Sequence, residues 1–163
     1  MTQPSMTIEW TSEAAWITVL QASTPLVSLL AGTTSIHREY DQSTGVADTL
    51  PKVLVSCPGA RPMVRRGEGY YIAPMRIEVV ISLDDDPTGS KRAAIAGAVR
   101  NVFEASGLIA ALEVAQPTLK IGMIEQPDPP YIGDEPAAAK PTRRLMYEYQ
   151  MQCTMLDELV NPD

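Results

Sequence analysis

The chain has little of the material from which catalytic and metal sites are most often built. Among its 163 residues there is one histidine, His37, and there are two cysteines, Cys57 and Cys153. A single histidine leaves few groups that can move protons near neutral pH. Both cysteines fall on the apolar phase of predicted strands, which favours small buried side chains over a disulfide framework, and a buried pair stays an alternative. We therefore expect that the protein is not an enzyme and that it has no cofactor and no metal site.

Long apolar runs and an excess of basic charge are also missing. No run approaches the length that spans a bilayer, and the first residues lack the basic-then-apolar order of a signal peptide, so we expect a soluble protein with no membrane partner. The net charge of −7, from 13 basic and 20 acidic side chains, disfavours general nucleic-acid binding because phosphate backbones are repelled. An acidic wall can still let DNA pass without holding it. The length suits one domain, residues 1–163.

What the chain does have is two long stretches of alternating apolar and polar residues. In 71–83 and in 143–155 the odd positions are mostly apolar, and nearly all of the polar residues, such as Arg76, Glu78 and Gln150, fall on even positions. Successive side chains of a strand point to opposite faces, so each stretch predicts a strand with one buried side. Shorter alternations predict strands over 52–57 and 119–123. The pattern predicts an α+β fold with a mainly antiparallel sheet of about four strands.

Helical spacing of apolar residues predicts an N-terminal helix over 11–31. Thr11 or Ser12 is the predicted cap, and Pro25 is predicted to bend this helix or divide it in two. Gly32 is the predicted end.

A second main helix is predicted after the acidic run Asp84–Asp86 and is expected to end at Gly107. Its cap is either Asp86, with Pro87 in the first helical position, or Ser90. Its apolar stripe is predicted to cover the odd face of the sheet and comprises Ile95, Val99, Val102 and Phe103. Residues 108–114 are expected to add another helical turn or two. Both main helices are expected on one face of the sheet.

Three segments are predicted to be connections. Residues 33–51 are rich in Thr, Ser, Asp and Gly and predict an arm or loop. Residues 59–69 predict a loop rich in Gly, Pro and Arg. Residues 127–141 hold five prolines in fifteen positions, so they are predicted to contain no regular element. Connections as long as the first and third usually contact a partner or remain mobile.

Four features could indicate a binding or catalytic site, and each also has an interpretation that involves no such site. The run Asp84–Asp86 has oxygens for a hard cation but not the spacing of an EF-hand, so it is interpreted as caps and solvated charge. His37 has no orienting acid or nucleophile that the chain locates, and it is interpreted as solvated or at an interface. The Arg-rich loop 59–69 lacks the order of a phosphate-binding loop, which leaves a partner-binding arm or a solvated loop. Without basic surroundings, four tyrosines are interpreted as buried or interface residues: Tyr70, Tyr71, Tyr147 and Tyr149.

The element order resembles that of a family of virion proteins. It comes with DTLPKVLVSCP early, YYIAPMRIEVVISLDDD in the middle and RRLMYEYQMQCTML late. In this order and pattern, over about residues 12–157, the chain resembles the small tail-terminator or tail-completion proteins of long-tailed double-stranded DNA bacteriophages.

The resemblance implies a structural subunit of a ring, usually a hexamer, at the head-proximal end of the tail tube. Such a ring stops tube growth and docks to the head connector. The implied partners are copies of the same chain, the tail tube protein and the head–tail connector proteins, with DNA passing through the channel without specific binding. The implied location is the virion tail or neck, after assembly in the host cytoplasm.

A ring of acidic subunits has to offset charge repulsion at its contacts. Basic residues on or beside the irregular segments are therefore candidates for meeting neighbouring carboxylates, and a tyrosine of the proline-rich segment joins them as an interface candidate. These candidates are Arg61, Arg65, Arg66, Tyr131, Arg143 and Arg144.

The competing interpretation is a small ligand-binding or enzymatic α+β domain. Its site would lie at the Arg-rich loop 59–69 or at the Asp run 84–86, and a well-formed pocket is expected near one of them. A ring protein is instead expected to have a central channel and loops at subunit boundaries. A neighbouring neck or head-completion component is a second structural alternative.

Overall fold

A computed structural model of the chain describes residues 7–39, 41, 50–63, 70–135 and 141–156. This part of the chain folds into four α-helices, one 3-10 turn and seven strands. In chain order they are α1 Thr7–Gln21, α2 Thr24–Leu29, the 3-10 turn Thr33–Ser35, β1 Ile36–Arg38, β2 Lys52–Ser56, β3 Arg61–Pro62, β4 Tyr70–Ser82, α3 Ser90–Glu104, α4 Leu108–Ala115, β5 Leu119–Glu125, β6 Tyr131–Glu135 and β7 Thr142–Met155.

The sheet is built on the two long strands that the alternating pattern predicts. β4 and β7 pair antiparallel along their whole length, from Tyr70 opposite Thr154 to Ser82 opposite Thr142. The strand order is β1-β2-β4-β7-β5, with β3 also beside β4 and β6 also beside β7. β1 runs parallel to β2, so the sheet is mixed. The α+β fold is confirmed, and the sheet has seven strands rather than about four.

The three additional strands all come from segments predicted to be connections. β1 lies in the predicted arm 33–51, and β3 lies in the Arg-rich loop 59–69. The prediction that 127–141 contains no regular element is wrong, because β6 occupies its middle. β6 itself contains no proline, so its backbone can pair with the open edge of β7 over Thr142–Met146. Each new strand lies beside a longer strand that supplies its hydrogen bonds.

Pro74 lies in the middle of β4, where a proline would normally interrupt a sheet. On the side away from β7, β4 pairs with β2 through residues 76–80 and with β3 through Tyr71 and Ile72. Pro74 falls in the gap between these two partners. The missing N–H therefore costs the sheet no ladder hydrogen bond on that side, which explains how so long a strand tolerates a proline.

The core lies between the odd face of the sheet and the helices. Fully buried side chains on this face include Met75, Ile77 and Met151, and α1 adds Trp16, which is 0% exposed. On α3, Ile95 and Val99 are buried, whereas Val102 and Phe103 are partly buried against the core. The predicted covered face and the predicted stripe are confirmed. The cysteines lie in this same core as free thiols, as predicted.

Helix boundaries follow local caps only in part. α1 begins at Thr7, so the predicted cap at Thr11 or Ser12 is wrong, and both residues are buried within the helix. The division near Pro25 is confirmed: Ser23 caps α2 by accepting from the Leu26 amide, and Pro25 lies in its first turn, where its missing N–H does no harm.

α3 begins at Ser90 and ends at Glu104 rather than at Gly107. The cap position is occupied by Gly89, so neither predicted cap residue, Asp86 or Ser90, is in that position. Its first amides are still satisfied by the acidic run, because both Asp86 carboxylate oxygens accept backbone bonds, from Lys91 at 3.0 Å and Arg92 at 3.1 Å. No single helix within the described ranges is long and apolar enough to cross a bilayer; α3 and α4 pass that test only as a pair, bent by 87° between them.

Candidate interaction surface

The even face of the sheet carries no helix in the described part of the chain and presents a row of charges instead. We call this the open face. Because β4 and β7 are in register, Arg76 lies directly opposite Glu148, and their charged groups are 3.9 Å apart. Both side chains are about two-fifths exposed, at 35% and 43%. Such cross-strand pairs stabilise a sheet modestly. Towards β1 and β2 the same face is not exposed, because His37, Leu54 and Val80 are buried there.

Arg143 and Arg144 are neighbours in β7, and alternation sends them to opposite faces of the sheet. Arg143 lies on the helix side, where its Nε is 3.1 Å from Asp134 Oδ1 and its Nη1 donates to the Asp86 carbonyl at 3.5 Å. Both arginines were expected to meet carboxylates of a neighbouring subunit. Arg143 instead binds a carboxylate of β6 within its own chain, and its part in an interface stays a prediction.

Arg144 lies on the open face between two carboxylates. Its Nη1 donates to Glu78 Oε1 at 3.0 Å, and its Nε is 3.4 Å from Glu135 Oε1 without the alignment of a hydrogen bond. Burial alone would lower the pKa of Arg144, but the hydrogen bond and charge of Glu78, followed by the charge of Glu135, raise it. The guanidinium therefore stays charged and joins β6 to β4 across β7.

The other candidate interface residues are described only in part. Arg61 is exposed in β3, whereas Arg65 and Arg66 lie outside the described residues. Tyr131 is 66% exposed on the open face at the start of β6. Its ring lies over Gly133, where an added Cβ would be 3.2 Å from Tyr131 Cε1. The absence of a side chain at Gly133 lets the ring lie flat along the strand.

The outer edge of the sheet is formed by β5 and β6, which follow each other along β7. β5 pairs with Gln150–Met155 and β6 with Thr142–Met146. Between them residues 126–130 stand opposite Tyr147–Tyr149, and three prolines there cannot donate to the ladder. Exposed apolar side chains mark this edge on both faces: Met123 at 38%, Tyr131 at 66% and Ile132 at 53%.

Two shallow grooves flank this proline segment on the helix side. One, of about 350 Å³, has Phe103 and Tyr149 in its lining, and the other, of about 380 Å³, has Tyr147 and Ile132. Neither lining includes Arg61 or the acidic run. Among the described residues, no three His, Cys, Asp or Glu side chains cluster closely enough to hold a metal ion.

A buried polar cluster beneath α1 was not predicted from the sequence. Glu9 Oε1 accepts from the Ala60 amide at 2.8 Å, and Glu13 Oε2 accepts from the Cys57 amide at 3.0 Å. Glu13 also meets Arg38, with 3.3 Å between Oε1 and Nε. Glu13 lies in the middle of α1, away from the positive end of the helix dipole, and it binds the chain that follows β2. The signal was available, because positions 9, 13, 16 and 20 form one stripe at helical spacing.

The thiols of the two cysteines beside this cluster have low reactivity. Burial, reinforced by the charge of Glu9, raises the pKa of Cys57 and that of Cys153 from 9.0 to about 12 each. Thiols of that pKa are almost fully protonated near neutral pH, and the thiolate is the reactive form. Their role in the described structure is packing.

His37 was predicted to be solvated or at an interface. It is only 7% exposed, so the solvated alternative is wrong, and a position at an interface stays a prediction. Its Nδ1 lies 2.8 Å from the Arg38 carbonyl oxygen, which makes Nδ1 the protonated ring nitrogen when the ring is neutral.

No protein-family model matches this sequence, and no curated protein matches it. The features that this surface offers are an open charged face, an outer edge with exposed apolar side chains, and arginines whose neighbours are carboxylates.

Proposed function

We propose that this chain is a structural subunit of a homo-oligomeric ring, most simply of six copies. The ring closes the head-proximal end of the tail tube of a long-tailed double-stranded DNA bacteriophage and joins the tail to the head connector. Tail tube and connector proteins are its partners, and DNA passes through it without specific binding. It belongs to the virion tail or neck and is assembled in the host cytoplasm.

The observation that carries this proposal is the one-sided sheet. Helices cover the centre of the odd face, and the open face carries paired charges that are partly exposed, such as Arg76 and Glu148. Complementary charges on a surface steer protein partners and fix their orientation more than they add affinity. A charged sheet face whose edge has exposed apolar side chains suits docking between proteins better than it suits enclosing a small substrate.

Net charge supports the same proposal. The chain has 20 acidic against 13 basic side chains, and its arginines on β7 are held by Asp134 and Glu135 of the same chain. A ring lined by such subunits repels phosphate backbones, so DNA slides through without being retained.

The competing interpretation was a ligand site at the Arg-rich loop or at the acidic run. Asp86 is 1% exposed, and both of its carboxylate oxygens are used by the first amides of α3. This removes the most buried carboxylate of the run from metal binding. Asp84 and Asp85 remain exposed, and no described contact favours a ligand there.

The test is made on the purified full chain and on particles that lack it. We expect light scattering to show a closed oligomer of a single mass, and particles without the protein to carry tails of irregular length or tails detached from heads. Supplying the wild-type chain in trans is the control and should restore uniform, attached tails. A monomer at high concentration together with normal tails in the particles that lack the protein would refute the proposal.

A further inference from the structure

β6 is attached to the sheet without burying any of its own side chains. Four of its five residues are exposed, including Tyr131 at 66% and Ile132 at 53%, and none is buried. β5, which shares the same edge of β7, has Leu119 buried in the core and packs Ile121 and Ile124 against it. Burial of apolar side chains is the main force that holds an element to its neighbours, so β6 can open while β5 stays in place.

A short ladder and two ion pairs hold β6 on the sheet. Its five residues pair with Thr142–Met146 of β7. Asp134 binds Arg143 on the helix side at 3.1 Å, and Glu135 lies 3.4 Å from Arg144 on the open face. The two carboxylate side chains are 42% and 54% exposed, so water and salt weaken both pairs.

The segments on either side of β6 are long enough for it to reach beyond its own subunit. Residues 126–130 connect it to β5 and contain three prolines, which favour an extended chain. Residues 136–141 connect it to β7. Each segment spans roughly 20 Å when it is fully extended. A neighbouring β7 edge within that distance can therefore receive β6 while β5 and β7 remain in their own sheet.

We propose that β6 is an exchangeable strand, which leaves the β7 edge of its own copy and binds the same edge, Thr142–Met146, of a neighbouring copy. Asp134 and Glu135 of the donor then meet Arg143 and Arg144 of the acceptor. The exchange rests on the self-association proposed above and specifies the contact through which it occurs.

A second copy fits the vacated edge because it carries the strand that already fits it. Every backbone pair and both ion pairs that β6 makes within one copy are reproduced between two copies. An unrelated strand would need carboxylates at the same two adjacent positions, one for each face of the sheet, to satisfy Arg143 and Arg144. Exchange of an identical element is a low-cost route to association, and when each copy donates to the next the contact is heterologous and can close a ring.

Disulfide trapping shows which copy holds β6. Tyr131 and Met146 are directly opposed on the open face, at a separation that suits a disulfide, so Tyr131→Cys and Met146→Cys are placed in the same chain. The associated protein is oxidised with diamide and run on a denaturing gel without reductant. We expect covalent multimers that return to single chains on reduction. A gel that shows single chains only overturns the proposal.

β5 supplies the matched control. Met123→Cys and Gln152→Cys form another directly opposed pair on the open face, but their strand is anchored in the core. The same oxidation should leave this variant as single chains. Cys57 and Cys153 are buried and protonated, which keeps them out of both reactions. Multimers in equal yield from the control would show that collision links the copies, and would overturn the proposal.

Charge reversal tests the exchange without added cysteines. Arg143→Asp and Asp134→Arg each set like charges against each other, so each variant alone is expected to raise the protein concentration needed for half association by about fivefold or more. In a mixture of the two, β6 of either variant meets an opposite charge on the other, and most of the loss should be recovered. Lys91→Asp, exposed on α3, has the same change in net charge as Arg143→Asp and should leave association unchanged. A mixture no better than the separate variants overturns the proposal.

These measurements separate the exchange from the tail function. Covalent multimers combined with normal tails in particles lacking the protein would refute the tail assignment and keep the exchange. Single chains combined with irregular tails would refute the exchange alone. Covalent dimers without longer species would keep the exchange and refute its part in closing a ring.

Discussion

Truncating Phe103 to alanine tests the packing of α3 on the sheet. The Phe103 ring lies 4.7 Å from the Trp16 ring and 4.8 Å from the Tyr149 ring, centroid to centroid, and Trp16 lies 5.6 Å from Tyr149. Three rings from α3, α1 and β7 therefore form one cluster. Removing Phe103 breaks two of its three contacts.

The magnitude follows from burial. A fully buried Phe→Ala change costs about 3–5 kcal/mol, and each aromatic pair contributes about 0.5–1.5 kcal/mol beyond its buried area. Phe103 is only partly buried and borders an open groove of about 350 Å³. Solvent can enter the space left by the ring, so we expect a smaller loss than for a fully buried ring, about 2–3 kcal/mol. In a domain of this size that lowers the melting temperature by about 4–12 °C.

The assay is urea unfolding followed by tryptophan fluorescence, because Trp16 contacts the deleted ring. Val114→Ala is the control, since Val114 is 80% exposed on α4 and its truncation should stay within about 0.5 kcal/mol. If Phe103→Ala unfolds at the same urea concentration as Val114→Ala, α3 does not pack on the sheet through this side chain and the reasoning fails.

Two further predictions concern buried polar groups. Asp86→Ala should destabilise the fold by about 1–2 kcal/mol, because it removes the acceptor for two first-turn amides of α3, while exposed Asp84→Ala should cost little; equal melting temperatures for the two variants would contradict this. Stability should also decline as the pH rises from about 9 towards 12. The unfolded thiols of Cys57 and Cys153 ionise near pH 9.0, the folded ones only near about 12, so alkali favours the unfolded chain between these values. Unfolding free energies measured over this range should fall less steeply in the double alanine variant, and an unchanged slope would count against burial of the thiols.

The sequence determined the elements whose own residues repeat at a structural period. The alternation in 71–83 and 143–155 predicts β4, β7 and the face that they bury, and the stripe from Ile95 to Phe103 predicts the buried side of α3. Pro25 predicts the division between α1 and α2. In each case the signal lies in the residues of the element itself. A strand or helix with one apolar side can bury that side in one orientation only.

The tertiary structure alone decided the short strands and the polar contacts. β1, β3 and β6 have two to five residues, too few to show a period, and each exists because a longer strand offers its edge as a hydrogen-bond partner. The burial of Glu13 likewise depends on Arg38 and the Cys57 amide, which come from distant parts of the chain. Arg143 and Arg144 pair with carboxylates of β6, a strand that was not predicted because its segment is rich in proline. Such features depend on which segments become neighbours in space. The sequence of a short segment does not contain that information, because its neighbours are decided by how the long strands pair.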